Sequence, residues 1–250
     1  MTTTLAPRPT RTRTHNGRTT ARVAGILYLV TFASSIPAVA LLGPILHDQR
    51  YVLGAGDDTR VLLGCLLDMI NAAACVGTAV SLYPVVKRQN AATALGFVTS
   101  RVMEAAIIMI GVVSLVAVVT LRQELAAAPA ADPGSMLAAG RALVEVRNGT
   151  FLLGPSLLPA VNAVLLGSLM YRSRLVPRVI PAMGLIGAPL LLAATLATMF
   201  GAVERVSAWT GIATLPVAAW EFSLGAWLAV KGFRDIDGPA RLDGPADRAE

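Results

Sequence analysis

"AATALGFVTSRVMEAAIIMIGVVSLVAVVTL" (Ala91–Leu121) is a 31-residue run, almost wholly apolar, whose only charges are Arg101 and Glu104. An α-helix rises ~1.5 Å per residue, so about 20 apolar residues cross a hydrocarbon core of ~30 Å. The run is long enough to span a bilayer. A lone span in lipid must satisfy its own backbone hydrogen bonds, which requires a helix. Comparable runs occur at 23–46, 61–86, 149–171, 179–201 and 207–230. The expected fold is all-α: a polytopic bundle of six transmembrane helices.

Composition agrees. Of 250 residues, 55% are hydrophobic and 14% charged, whereas soluble domains carry about 25% charge. Mean hydropathy is +0.65. The net charge of +6 does not point to nucleic acid, because the arginines cluster at the ends of apolar runs and form no basic face or binding motif. Cys65 and Cys75 share one run, ~15 Å apart along a helix, too far for a disulfide. They read as packing residues.

Lysine and arginine placement gives an orientation. Fourteen lie on one side: Arg8, Arg11, Arg13, Arg18, Arg22, Lys87, Arg88, Arg172, Arg174, Arg178, Lys231, Arg234, Arg241 and Arg248. Six lie on the other: Arg50, Arg60, Arg122, Arg141, Arg147 and Arg205. Both termini are therefore expected in the cytoplasm, with the chain in the cell (plasma) membrane. Residues 1–21 read as a disordered basic tail, 22–233 as the membrane domain and 234–250 as a flexible tail. Ala38–Ala40 resembles a signal-peptide cleavage site, but the long polar start and the later spans favour an uncleaved first helix. Trp209 and Trp227 sit where interface anchors are expected. Arg172, Arg174 and Arg178 bracket a tight turn; they fix topology or bind lipid phosphates.

The link from Arg122 to Asn148 is the one long connection. Asp132 can cap a short helix with Pro133 at its first position. Met136, Leu137, Leu143 and Val144 can share a face, with Arg141 and Glu145 as an i,i+4 pair on another. This predicts a short amphipathic segment on the outer surface, the alternative being a solvated loop. "NGT" at Asn148–Thr150 matches a glycosylation acceptor, a motif of low specificity.

Six polar residues fall inside spans: Asp68, Asn71, Arg101, Glu104, Asn162 and Glu221. Charge at such depth costs several kcal/mol and usually faces the bundle interior. Gly64, Asp68, Asn71, Cys75 and Thr78 share one helical face, as do Phe97, Arg101, Glu104, Ile108 and Gly111. Counted from Arg60 and Asn90, Asp68 and Arg101 both lie ~12–13 Å below the outer boundary. Asn162 and Glu221 lie ~15 Å from the inner ends of their spans. One polar layer is expected. Ionised throughout, its charged members would sum to −2. A carboxyl is then expected to be protonated, or a further cation to sit beside the cluster. The cluster is either a proton- or cation-linked functional site or an ion-pair network that fixes helix register. Pro155 and Pro159 precede Asn162, Pro216 precedes Glu221, and Pro181 and Pro189 lie in the fifth span; all can kink their helices. His15 and His47 lie outside the span interiors, and no metal, triad or phosphate-loop motif occurs. No metal or cofactor is expected.

Several segments resemble a family of bacterial multi-pass membrane proteins catalogued as domain of unknown function 4386. They are "RVAGILYLVTF" (22–32), "SLYPVVK" (81–87), "RVMEAA" (101–106), "FLLGP" (151–155), "LMYRSRLVPRVIPAMGLIG" (169–187) and "WEFSLGAWLAVKGF" (220–233). The resemblance covers roughly residues 20–233, and "YRSRLVPR" is its most specific piece. It implies a six-helix membrane domain, and it puts Arg101, Glu104 and Glu221 where the family pattern has the same residue types. It implies no activity, substrate or cofactor.

Three functions remain. By a small margin the sequence favours a non-catalytic membrane subunit or regulator that binds lipids, other membrane proteins or a second copy. Next comes a small proton- or cation-linked permease. Last is an intramembrane lipid-modifying enzyme using Asp68, Glu104 and Glu221 as acid/base groups. A wet cavity reaching Glu104 and Glu221 would favour transport, a lateral opening to lipid the enzyme, and a tightly packed cluster the subunit.

Overall fold

The computed structural model describes residues 13–48, 51–54, 57–127, 132–204 and 207–234. The elements are α1 (Arg13–His47), α2 (Asp58–Val86), α3 (Ala91–Ala127), α4 (Pro133–Phe151), a π-helical turn (Leu152–Leu157), α5 (Leu158–Ser173), α6 (Val179–Met199) and α7 (Ala208–Val230). Six helical stretches are long and apolar enough to cross a membrane, the fourth being Pro133–Ser173 taken through the π-turn. Each span packs on the next in sequence, and α7 closes the ring against α1. One end of the bundle carries Arg122 and the starts of α2, α4 and α7. The other carries Arg174, the starts of α1, α3 and α6, and the end of α7.

Two expectations need correction. The tail expected to be disordered over 1–21 is helical from Arg13. Past the apolar edge, Arg18 and Ala21 pass close to Gly232, just after α7. Residues 1–12 and 235–250, the rest of the two expected tails, lie outside the described residues. The amphipathic segment does form, as α4. The Asp132 carboxylate accepts from the Gly134 and Ser135 N–H groups, both at 3.1 Å. It is not a separate surface helix. Met136, Leu143 and Val144 pack on the protein, against the cluster of Leu42, Ile45, Val61, Leu115 and Val118. The helix then runs into the fourth span. Pro155 has no N–H for the Phe151 carbonyl, and Pro159 none for Pro155. The backbone widens into the π-turn, which takes up Pro155, and Pro159 falls in the first turn of α5, so the helix continues.

The apolar core has two large blocks and a small cluster of Ala72, Cys75, Ala105 and Ile108. One block, around Tyr28, Phe97, Met170, Trp220 and Leu228, fills the Arg174 end. The other fills the Arg122 end, and the span-interior polar residues lie between them. Large apolar side chains such as Val102, Ile110, Val113 and Ile186 are exposed, as lipid-facing positions must be.

At the Arg122 end the link after α1 is clamped. Arg122 donates to Asp58, to the Tyr51 hydroxyl (3.2 Å) and to the Gly54 carbonyl (2.8 Å). Burial, and then the hydrogen bond to Asp58, hold the Tyr51 phenol above its usual pKa. At the other end Arg174 closes α5 in the left-handed conformation (φ 56°), and Arg172, Arg174 and Arg178 are all exposed.

Candidate functional site

Arg101 organises the middle of the bundle. It projects from the buried stripe of α3 formed by Phe97, Arg101, Glu104 and Ile108, whose spacing of three and four keeps them on one side. The guanidinium uses its fork. Nη1 donates to Glu104 Oε2 at 3.1 Å, one turn along the same helix, and Nη2 donates to Glu221 Oε1 on α7 at 2.5 Å. Asn162 Nδ2 on α5 donates to the same Glu104 oxygen at 2.8 Å. Nη1 also approaches Cys75 Sγ on α2 at 3.6 Å. The Tyr28 ring of α1 covers the guanidinium, 5.1 Å from its carbon, and Phe97 lies at 6.0 Å. Four of the six spans thus meet at Arg101, and a fifth joins through Asn162 and Glu104. Arg101 is 2% exposed, so the ions are held away from bulk solvent. Arg101 Nε and Asn162 Oδ1 have no partner among the described residues.

A cavity of about 140 Å³ adjoins this cluster. Its wall includes Arg101, Glu104 and Glu221, with Asn71, Cys75 and Thr214. An apolar cavity of ~150 Å³ can hold benzene, so the space suits a small molecule or several waters. With both carboxylates ionised, the wall carries one uncompensated negative charge.

Of the six residues expected in one polar layer, four are joined directly: Arg101, Glu104, Asn162 and Glu221. Asn71 lines the same cavity. Asp68 belongs elsewhere. It accepts from Arg147 Nη2 at 2.8 Å, and both side chains are buried. Asp68 lies seven residues, ~10 Å, nearer the Arg122 end than Cys75, which touches Arg101. The depth estimate failed because it was taken from opposite ends of unequal helices. α2 has 29 residues and α3 has 37, so their apolar edges are not level.

Arg147, read from the sequence as a loop charge, supplies one of the two positive charges that the sum of −2 lacked. It is 4% exposed, sits against Gly111 of α3, and its guanidinium lies 5.3 Å from the Phe151 ring. A Cβ on Gly111 would come within 2.9 Å of Arg147 Cδ, so the glycine makes room for the arginine. A signal was present in the sequence. Gly140, Leu143, Val144, Arg147 and Phe151 follow helical spacing, which puts Arg147 on the packed face of α4. Tyr28 was also missed as a site residue, although it falls on the α1 face that continues from Ala21 and Ala24.

The span-interior ions therefore form two separate groups. Asp68 with Arg147 is neutral. Arg101 with Glu104 and Glu221 is one positive charge short, and it is the group that lines a cavity.

Over residues 23–232 the chain matches the family described as Domain of unknown function (DUF4386), and it belongs to that family. No curated protein and no solved structure matches it.

Proposed function

Starting from a family whose description assigns no activity, we propose that this multi-pass membrane protein is a small proton- or cation-linked permease. Its substrate site is the cavity beside Arg101, Glu104 and Glu221. One observation carries the reading: the cavity of about 140 Å³ is walled by two carboxylates that share a single guanidinium. An uncompensated charge at this depth is costly. A proton on a carboxyl, or a cation in the cavity, removes the cost, and this couples the two ligands. The sequence leaned toward a non-catalytic subunit, for which a tightly packed cluster was expected; the cavity favours the carrier instead. With both termini taken as cytoplasmic, on the lysine and arginine count, the Arg122 end faces outward.

The test is electrical. Protein in proteoliposomes on a solid-supported membrane is exposed to jumps in pH and in tetramethylammonium. The wild type is expected to displace charge, and Glu221→Gln, folded by the same unfolding transition, is expected to lose the response. A wild type silent to both jumps, or a Glu221→Gln variant with the full response, would overturn the reading.

A further inference from the structure

Pro155, Leu191, Thr214 and Ala218 line the cavity at the ion cluster, and the same four residues line a second cavity of about 420 Å³. The second extends toward the Arg122 end between the π-turn, α6 and α7, walled by Phe151, Leu152, Thr195, Thr198, Gly211 and Leu215. Four shared lining residues set the two side by side along one groove of the bundle. Along α7 it runs from Gly211 to Glu221, ten residues or ~15 Å.

The ends differ in chemistry. The larger chamber has threonines, but their hydroxyl hydrogens are already used. Thr195 donates to the Ser156 carbonyl (3.2 Å), Thr198 to Ala194 (3.0 Å) and Thr214 to Thr210 (2.8 Å). These three side chains offer methyl groups and lone pairs, not donors. Ser156 and Ser207 add two serine hydroxyls to this wall, but with Phe151, Leu152, Leu191 and Leu215 its larger part suits hydrocarbon. The other end carries Glu104 and Glu221 around one guanidinium, an uncompensated negative charge when both are ionised.

We propose that the two chambers form one site for an elongated organic monocation, its ammonium or guanidinium head at Glu104 and Glu221 and its apolar tail in the larger chamber. The inference rests on the cation-linked reading of the smaller cavity and adds the class of cargo. An inorganic ion would leave the larger chamber unused.

The test compares tetramethylammonium with butyltrimethylammonium, which has three more methylenes, by calorimetric binding to the full chain in nanodiscs. A methylene moved from water into an apolar site tightens binding about fourfold, so three give on the order of fiftyfold. Gly211→Trp fills the larger chamber; a Cβ there meets no atom within 4 Å, so the side chain has room to enter. Thr198→Leu is a milder filling should the first variant fold poorly. Both variants are expected to keep tetramethylammonium binding and to lose most of the preference for the longer ion. Equal affinity of the wild type for the two ions, or a preference that survives both fillings, overturns the elongated site and leaves the permease reading standing. Binding of neither ion, together with no charge displacement in the liposome assay, overturns both.

Discussion

Removing Asp68 leaves Arg147 buried without its counter-ion. The pair is a single contact of 2.8 Å between side chains only 5% and 8% exposed. Three changes test it: Asp68→Leu, Arg147→Met, and the two combined. Breaking a buried pair from one side costs about 3–5 kcal/mol in soluble proteins, because a charge is left uncompensated. Interhelical hydrogen bonds within membranes are worth less, ~0.6 kcal/mol on average and up to ~1.7. The larger range governs here for a geometric reason. Arg147 lies 14 residues, ~21 Å, from the first residue of α4 and is wedged against Gly111 and Phe151, so its head has no short route to water. Each single variant should therefore lose about 3 kcal/mol, and the apolar double variant about 1 kcal/mol or less, since replacing both ions removes the desolvation penalty.

The assay is reversible unfolding in bicelles, followed through a complete double-mutant cycle. Single variants that each lose less than about 0.5 kcal/mol, the value of a solvated pair, would refute the reasoning. So would a double variant as unstable as the two singles added together, because the ions would then not be compensating one another.

Three further outcomes are expected. In Gly25→Ala the new Cβ would sit 2.3 Å from the Ala229 nitrogen and 2.6 Å from the Gly225 carbonyl oxygen, forcing α1 from α7 at a cost of about 1–3 kcal/mol. Gly43→Ala, whose Cβ meets no atom within 4 Å, should lose nothing in the same unfolding assay. Arg101→Lys replaces a fork that reaches Glu104 and Glu221 by a point charge, and should cost about 2 kcal/mol in bicelle unfolding while keeping the net charge. The Tyr51 phenol has its pKa raised by burial and by Asp58, so it binds its proton more tightly when folded. Its contribution is complete below the unfolded value of ~10 and is lost as pH rises through the folded pKa. Tyr51→Phe should abolish that alkaline loss, read from unfolding midpoints across the pH range.

The six spans and their buried faces were legible because both follow from local rules. Apolar length sets the spans, and a spacing of three and four sets the faces. The two stripes read from α2 and α3 are buried at every position named. Partnerships between helices were less legible. Arg101 and Glu104 pair as their spacing requires, but Asp68 was assigned to the wrong layer because depths from opposite ends were compared across a core of ~30 Å, which helices of 29 and 37 residues exceed. Arg147 was missed because its segment was read as a link, although its own spacing marked it as inward. The groove could not be read at all. It needs Pro155 of the π-turn, Leu191 of α6 and Thr214 of α7 on one wall, and no local pattern brings those three together.

Two buried arginines in one bundle now serve as controls for each other. Arg147 meets one carboxylate and is neutralised by it, against a glycine and an aromatic ring. Nothing more is required there, and its loss should be felt as lost stability. Arg101 meets two carboxylates and lines empty space. That arrangement is complete only when a second positive charge arrives, as a proton or as the head of a cation. Glu221→Gln removes the requirement without stranding Arg101, which keeps Glu104. The variant should therefore fold about as well as the wild type and fail in binding, whereas Asp68→Asn should unfold readily and, where folded, still bind. The reverse pattern would mean that the cavity is incidental and the Arg101 cluster is the structural one.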